Sequence, residues 1–338
     1  MTTNHFDPSQ ARDFVGAKWD AEIVPQLVEY IRIPNKSPMF DSDWVKHGYM
    51  EQAVSLMETW ARAQDEKFDI EHQQAALDWH IGMLGTARTD LVVAPETAIP
   101  FLPQQVPEGM WERLQAHFAH GATAALIGVP LGNDAEGYTN SAVGFSPSQP
   151  PYRYDKQHLV PFGEFIPRYF RWFTDLMHIP LGDFNRGPLE APSFVVKGER
   201  VAPNICYEDL FGEELAARFA DPAGAPTILA NLSNIGWFGN TIAVDQHLAI
   251  SRMRALEFQL PMVRATNTGA TAIIDHRGQV QARLPAFQQA VLDGPVQGRQ
   301  GLTPFARWAS LFGLWPLIGS ALLVCAGAAL RRRGGPAP

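Results

Sequence analysis

Val201-Ala-Pro-Asn-Ile-Cys-Tyr-Glu-Asp-Leu210 reads as a buried strand that breaks into a turn at Cys206. Apolar and β-branched residues lead up to the cysteine, first Phe194-Val195-Val196 and then Val201 and Ile205. Tyr207, Glu208 and Asp209 follow at once. A break of this kind holds a thiol rigidly and leaves it within reach of substrate, which suits a cysteine nucleophile. The chain has one other cysteine, Cys325, in an unrelated apolar context, so the pattern predicts a free thiol at Cys206 rather than a disulfide.

On either side of this stretch, strands alternate with helices. Asp90-Leu-Val-Val-Ala-Pro-Glu96 and Thr123-Ala-Ala-Leu-Ile-Gly-Val-Pro130 are short, continuously apolar runs, the mark of strands buried on both faces. Further strands are expected over 138–146, 152–156, 227–233, 262–266 and 271–275, and helices over 71–86, 107–120, 212–220 and 241–258. This order predicts an α/β layered domain. A hydrophobic fraction of 46% is enough for a large core, and a net charge of −8 gives no footprint for nucleic acid. His117 and His120 lie close together on an amphipathic helix without carboxylate or cysteine companions, so neither a metal nor another cofactor is expected.

The two ends differ from this middle. Ile23, Leu27 and Ile31 recur at helical spacing, a Pro-bearing break follows, and Tyr49 to Trp60 is amphipathic again. Tyr30-Ile-Arg-Ile-Pro-Asn-Lys-Ser-Pro-Met-Phe-Asp41 and Trp44 through Trp60 resemble the opening of M20-family metallopeptidases. The metal ligands of that family come downstream of this opening, and nothing past residue 64 continues the pattern. Residues 1–63 therefore read as a mainly helical, foreign fragment without an active site, joined by fusion. At the other end, Trp308 to Leu330 is a run of 23 residues without a charge, closed by Arg331-Arg-Arg333. At about 1.5 Å per residue it spans roughly 34 Å as a helix, enough to cross a bilayer. Trp308, Phe312 and Trp315 fit interfacial anchors, and the arginines place the tail in the cytoplasm.

Three reactive positions fall at the ends of expected strands: Glu96, Lys156 and Cys206. A thiol near its reference pKa of about 8.5 is mostly protonated at neutral pH and needs a base. Glu96, between Pro95 and Thr97 after an apolar strand, is placed to accept that proton. An ammonium at Lys156 is suited to a developing oxyanion. Singly, each has an ordinary alternative: a solvated carboxylate, a surface lysine, a small buried hydrophobe.

Together, and in matching flanks, the three resemble the nitrilase (carbon–nitrogen hydrolase) superfamily. The closer resemblance is to the catalytic domain of the apolipoprotein N-acyltransferase family. It is carried by Val92-Val-Ala-Pro-Glu-Thr-Ala98, Tyr154-Asp-Lys-Gln-His-Leu-Val-Pro-Phe-Gly-Glu-Phe-Ile-Pro167, Asn204-Ile-Cys-Tyr-Glu-Asp209, Asn231-Leu-Ser-Asn-Ile-Gly-Trp-Phe-Gly239, Arg252-Met-Arg-Ala-Leu-Glu257 and Arg264-Ala-Thr-Asn-Thr-Gly269, and it covers about residues 64–333. The resemblance implies a nitrilase-like αββα sandwich with Cys206 as nucleophile, Glu96 as general base and Lys156 at the oxyanion. It implies an acyl donor of the phosphatidylethanolamine type, a thioester on Cys206, and a diacylated apolipoprotein whose N-terminal amine takes the chain. Glu164, Tyr207 and Glu208 match further active-site positions. It also implies a bacterial inner membrane location, with the catalytic domain facing the periplasm.

The run from Phe162 to Ile179, dense in aromatics that include Phe165, Trp172 and Phe173, reads as a lid at the headgroup level or as an ordinary amphipathic helix. The expected domains are 1–63, a catalytic domain over 64–300, one transmembrane helix over 305–331 and a basic tail over 332–338. Three departures from the family keep alternatives open. No long apolar segment or signal peptide precedes residue 300, the family's first strand is missing before Gln64, and Ile235 stands where the family often has an acidic residue. An amidase or nitrilase-type hydrolase on the same triad is one alternative, and an inactive fused chain is the other.

Overall fold

The computed structural model describes residues 16–17, 19–34, 41, 43–63, 71–168 and 183–333. The chain divides into two compact units, Met1–Ala75 and Ala76–Pro338. In the first, helix α1 (Val24–Arg32), a short α2 (Trp44–His47) and α3 (Tyr49–Ala63) carry the expected amphipathic pattern. Only Ala53 is buried there among the described residues, and Leu27, Val28 and Ile31 are exposed.

The second unit opens within α4 (Glu71–Thr86), at Ala76, and holds two sheets. The first has the order β1 (Leu91–Val93), β2 (Ala124–Asn133), β3 (Gly137–Phe145) and β4 (Tyr152–Asp155), with β1 parallel to β2 and the rest antiparallel. The second contains β5 (Phe194–Val196), β6 (Glu199–Ile205), β7 (Ile228–Ser233), β8 (Met262–Thr266), β9 (Ala272–Ile274) and β10 (Val280–Arg283), in the order β10-β9-β8-β7-β6-β5. Its central strands β6, β7 and β8 are parallel. They are therefore covered on both faces and read as apolar runs.

Three cores make four layers. Leu126, Ala142 and Tyr154 of the first sheet meet Val201, Ile205, Ala230 and Leu232 of the second. Leu77 and Leu84 of α4, with Leu114 and Phe118 of α5 (Met110–Ala119), cover the outer face of the first sheet. Leu215 of α6 (Gly212–Ala216), Leu248 and Phe258 of α7 (Ala243–Phe258), and Ala306 and Ala309 of α8 (Pro304–Phe312) cover the outer face of the second. This is the expected α/β sandwich with helices outside and sheets within. Among the described residues β1 is the first strand and an edge of its sheet, and only three residues long.

The single transmembrane helix expected over 305–331 is corrected. Two helices stand there, α8 and α9 (Trp315–Arg333), bent by 73° from each other. No single helix among the described residues is long and apolar enough to cross a membrane, although the pair passes on length and composition together. Gly313 breaks the run with φ +53°, a conformation L side chains rarely adopt, and Pro316 is suited to the first turn of a new helix. The expected role of Trp308 changes with this. It packs against the core under α8 and is not a free interfacial anchor, whereas Trp315, Leu322, Leu323 and Val324 of α9 are exposed.

Candidate active site

The candidate residues stand where strands end. After β1 the chain keeps following β2, with the Ala94 N–H donating to the Leu126 carbonyl (2.9 Å) and the Ile99 N–H to the Gly128 carbonyl (3.2 Å). Glu96 lies on the turn between them. Gly128 is required beneath it, because a Cβ there would come within 2.2 Å of the Pro95 carbonyl oxygen and 2.7 Å of the Glu96 Cα. Lys156 follows β4, its N–H bonded to the Asn140 carbonyl (2.8 Å). Cys206 follows β6 with φ +58° at the head of a tight turn, Cys206–Leu210. A non-glycine residue held there costs on the order of 1–3 kcal/mol unless its surroundings fix it. Thr97 (φ 52°) and Phe162 (φ 62°) are also left-handed, each within two residues of a site carboxylate.

The side chains converge. Lys156 Nζ donates to Glu96 Oε1 (3.2 Å) and Glu164 Oε1 (2.9 Å), and Asn140 Nδ2 donates to the same two oxygens at 2.7 Å each. Glu164 Oε2 accepts from the Val160 N–H (2.8 Å), and Glu96 Oε2 from the Asn234 N–H (2.7 Å), which ties the end of β7 to the first sheet. Lys156 is 1% exposed and Glu96 7%. Burial alone would lower the Lys156 ammonium, but the charges of Glu96, Cys206 and Glu164 outweigh it and raise it above the ordinary lysine value. Cys206 is half-buried, and its Sγ faces the Asn234 carbonyl at 4.0 Å. Burial, and then the Glu96 charge, push its thiol up to about 12, against the pull of Lys156. At rest Cys206 is therefore a thiol, with the Glu96 carboxylate acting on it.

Tyr207 and Glu208 are brought to the same turn with different tasks. The Tyr207 hydroxyl donates to the Leu159 carbonyl (2.8 Å), and Lys156 Nζ sits 5.8 Å from its ring centre. Glu208 accepts four hydrogen bonds, from the N–H groups of Ile205 (2.6 Å), Gln157 (2.7 Å) and His158 (3.1 Å) and from the Tyr154 hydroxyl (2.8 Å). It joins the Cys206 turn to the loop after Lys156. Burial raises its carboxyl above the usual range, opposed by these donors. Of the expected lid, Phe165 is half-buried under the Arg186 guanidinium (4.6 Å) and Ile166 is buried. Trp172 and Phe173 lie outside the described residues. Ile235 is buried in the core rather than facing the site, so its apolar character is a packing matter.

Asn140 and Asn234 were not singled out from the sequence. The signal for Asn140 was there, as a polar residue inside an otherwise buried strand; Asn234 acts through its backbone, which no residue type announces.

Residues 49–303 match the carbon-nitrogen hydrolase family model. The chain belongs to the carbon-nitrogen hydrolase family. The apolipoprotein N-acyltransferase of Verminephrobacter eiseniae is 62% identical over 75% of this chain and 49% of its own length. That of Ralstonia nicotianae is 50% identical over 78% of this chain and 51% of its own. The chain thus spans about half the length of the curated relatives it matches. Among solved structures, a carbon-nitrogen hydrolase from Helicobacter pylori aligns with a TM-score of 0.47 and 17% identity, over 63% of this chain and 80% of that one.

Proposed function

We propose that this carbon-nitrogen hydrolase chain is an acyltransferase of the apolipoprotein N-acyltransferase type, with Cys206 as its acyl carrier. The observation that carries the reading is the convergence of Glu96 and Lys156 on Cys206, with Glu164 on the same lysine. The identity to relatives named for this activity supports it.

In this reading Cys206 Sγ attacks the ester carbonyl of a phosphatidylethanolamine-like phospholipid while Glu96 takes the thiol proton. Lys156 faces the oxyanion. The carbon–oxygen bond then breaks, Glu96 returns the proton to the departing lysophospholipid oxygen, and a thioester remains on Cys206. The free amine of a diacylglyceryl-cysteine, at the N-terminus of an apolipoprotein, attacks that thioester. Its nitrogen gives up a proton through Glu96 to the leaving sulfur, which restores the thiol. Tyr207 and Glu208 hold the turn, and Phe165, Trp172 and Phe173 belong to the acyl-chain approach.

The location follows from the same reading: the bacterial inner membrane, with the catalytic unit in the periplasm and the C-terminus in the cytoplasm. Because α8 is part of the folded unit, α9 is the segment left to embed. Its uncharged part, Trp315 to Leu330, is about 24 Å long. That is short of a hydrocarbon core of about 30 Å, so the arginines at its end would snorkel.

The test is to incubate the purified chain with phosphatidylethanolamine vesicles and search by mass spectrometry for an acyl adduct on Cys206. An adduct that vanishes in Cys206→Ala is expected. Amide turnover without an adduct would instead support a hydrolase on the same triad, and the absence of both would support an inactive chain.

A further inference from the structure

On the face of the six-stranded sheet that α7 covers, apolar packing gives way to a polar row directly behind Cys206. Asn204 on β6 is in register with Asn231 on β7, and Asn231 with Arg264 on β8. All three are buried, Arg264 nearly completely. Two residues back along the strands, the same face carries Ala202, Leu229 and Met262, in the apolar core beneath α7. His247 and Ser251, one turn apart on α7, come down onto the polar row. Asp209 of the nucleophile turn closes it: His247 Nε2 lies 3.1 Å from Asp209 Oδ1, Ser251 Oγ donates to Asp209 Oδ2, and Arg264 Nη1 is 3.5 Å from that oxygen.

The chemistry of the partners fixes which way each group points. A guanidinium donates only. Arg264 Nη2 stands 2.8 Å from His247 Nδ1, so Nδ1 is the bare nitrogen and Nε2 carries the hydrogen. That Nε2–H faces the Cys206 carbonyl at 3.2 Å as well as Asp209. Arg264 Nη1 donates to Asn231 Oδ1 at 2.8 Å, which turns the Asn231 Nδ2 toward the Cys206 carbonyl, also at 2.8 Å. One buried arginine thus orients two unlike donors, an imidazole and an amide, onto a single oxygen. The hydrogen bonds of His247 go to the backbone of Cys206 and not to its sulfur, so it is no rival to Glu96 as base.

We propose that Arg264 is a positioning residue for the nucleophile: through His247 and Asn231 it holds the Cys206 carbonyl, and with it the left-handed backbone that presents Sγ to Glu96. The inference rests on Cys206 being the nucleophile and not on which ester supplies the acyl group. The planar peptide extends the effect, because a fixed Cys206 carbonyl also fixes the opposed N–H of Tyr207.

Two variants at His247 test it in the full chain. His247→Leu removes the donor, while His247→Gln returns an amide nitrogen to the place of Nε2. In single-turnover acylation by phosphatidylethanolamine, the Leu variant is expected to lower the limiting rate about 100-fold, the scale of a misplaced reacting group. The donor concentration at half-saturation is expected to change by less than about twofold, and the Gln variant to recover to within about tenfold of wild type. Hydrogen exchange over 204–210 is expected to be faster in Leu and near wild type in Gln. A Leu variant that acylates within about twofold of wild type overturns the proposal. So does a Gln variant no faster than Leu although exchange over 204–210 is restored, and if Leu fails to fold the Gln variant alone decides on the same tenfold criterion. A wild-type chain that takes no acyl group sinks the phospholipid reading alone. The rates are then read from iodoacetamide alkylation of Cys206 in a Cys325→Ala background, where wild type, Gln and Leu are expected in descending order and equal rates overturn the proposal.

Discussion

Cys206 stands between two polar clusters that look alike in composition and differ in what their protons can do. In front lie Glu96 and Glu164, two carboxylates sharing one ammonium and one amide, with the thiol proton within reach. Behind lies Glu208, whose four donors are three backbone N–H groups and a tyrosine hydroxyl, and which has no cation to share. Both clusters are buried and hydrogen-bonded. The front one holds fewer cations than carboxylates and faces a titratable partner, the half-buried Cys206 thiol. The rear one links the loop after β4 to the Cys206 turn, and its one titratable partner is the Tyr154 hydroxyl, which burial and the Glu208 charge hold well above its ordinary value. Burial and hydrogen bonding alone therefore do not mark a reactive carboxylate; its partners do.

Glu96→Gln is the sharpest way to break this comparison. The amide keeps the shape and an acceptor oxygen but takes no proton. Acylation of Cys206 is expected to fall about 10³-fold, the usual worth of a general base, far beyond what the stability cost of an amide facing the Asn234 N–H or the Lys156 and Asn140 donors can explain in a chain that stays folded. Glu208→Gln is expected to do the reverse in kind. The new amide points donors at backbone donors, so the chain should lose about 3 kcal/mol of stability, read as a lower denaturant midpoint at unchanged slope. If instead Glu208→Gln stopped acylation at unchanged stability, the rear carboxylate would be chemical and the distinction would fail.

How far the sequence reached depends on whether a group is set by its local flanks or assembled by cross-strand register. Continuous apolar runs announced the buried strands, and the joint flanks of Glu96, Lys156 and Cys206 announced the front cluster. Glu208 was legible through the same flanks as Cys206. The Arg264 network beneath α7 was harder to read, because Asn204, Asn231, Asp209, His247 and Arg264 are drawn from three strands, a turn and a helix, and only cross-strand register brings them together. Asn231 and Arg264 even lay inside stretches that carried the family resemblance, without a task suggested by residue type. The helix over 305–331 misled for a physical reason: hydropathy counts apolar residues but not their partners. Ala306 and Ala309 are apolar because they bury against the domain, and Gly313 ends that helix before the exposed one begins. The short β10 and β5 were similarly quiet, being edge strands set by pairing more than by pattern.

The smallest expected effect sharpens the front cluster from the thiol's side. Cys206 has its thiol held up to about 12, against 9.0 for an unperturbed cysteine. Below about pH 9 the thiol keeps its proton whether the chain is folded or not, and the site is at no disadvantage. Above that, the unfolded chain releases the proton while the folded chain still binds it, so stability falls as pH rises toward 12. Tyr152 and Tyr207, both pushed up to about 12 mainly by burial, add losses of the same sign. The Tyr152 loss persists in Cys206→Ala, as does the Tyr207 loss apart from the small share that Cys206 itself supplies, so the difference between the two melting curves reports chiefly on the thiol. Wild type should lose about 3 °C more than Cys206→Ala between about pH 9 and pH 11, a modest figure because the thiol is only half-buried. The Glu96 charge is the second cause of the elevation, so in a Glu96→Gln background that gap should narrow without closing, leaving the part that burial supplies. A gap as wide in the Glu96→Gln background as in wild type would mean that the thiol does not feel the carboxylate and that the front cluster is as inert as the rear one.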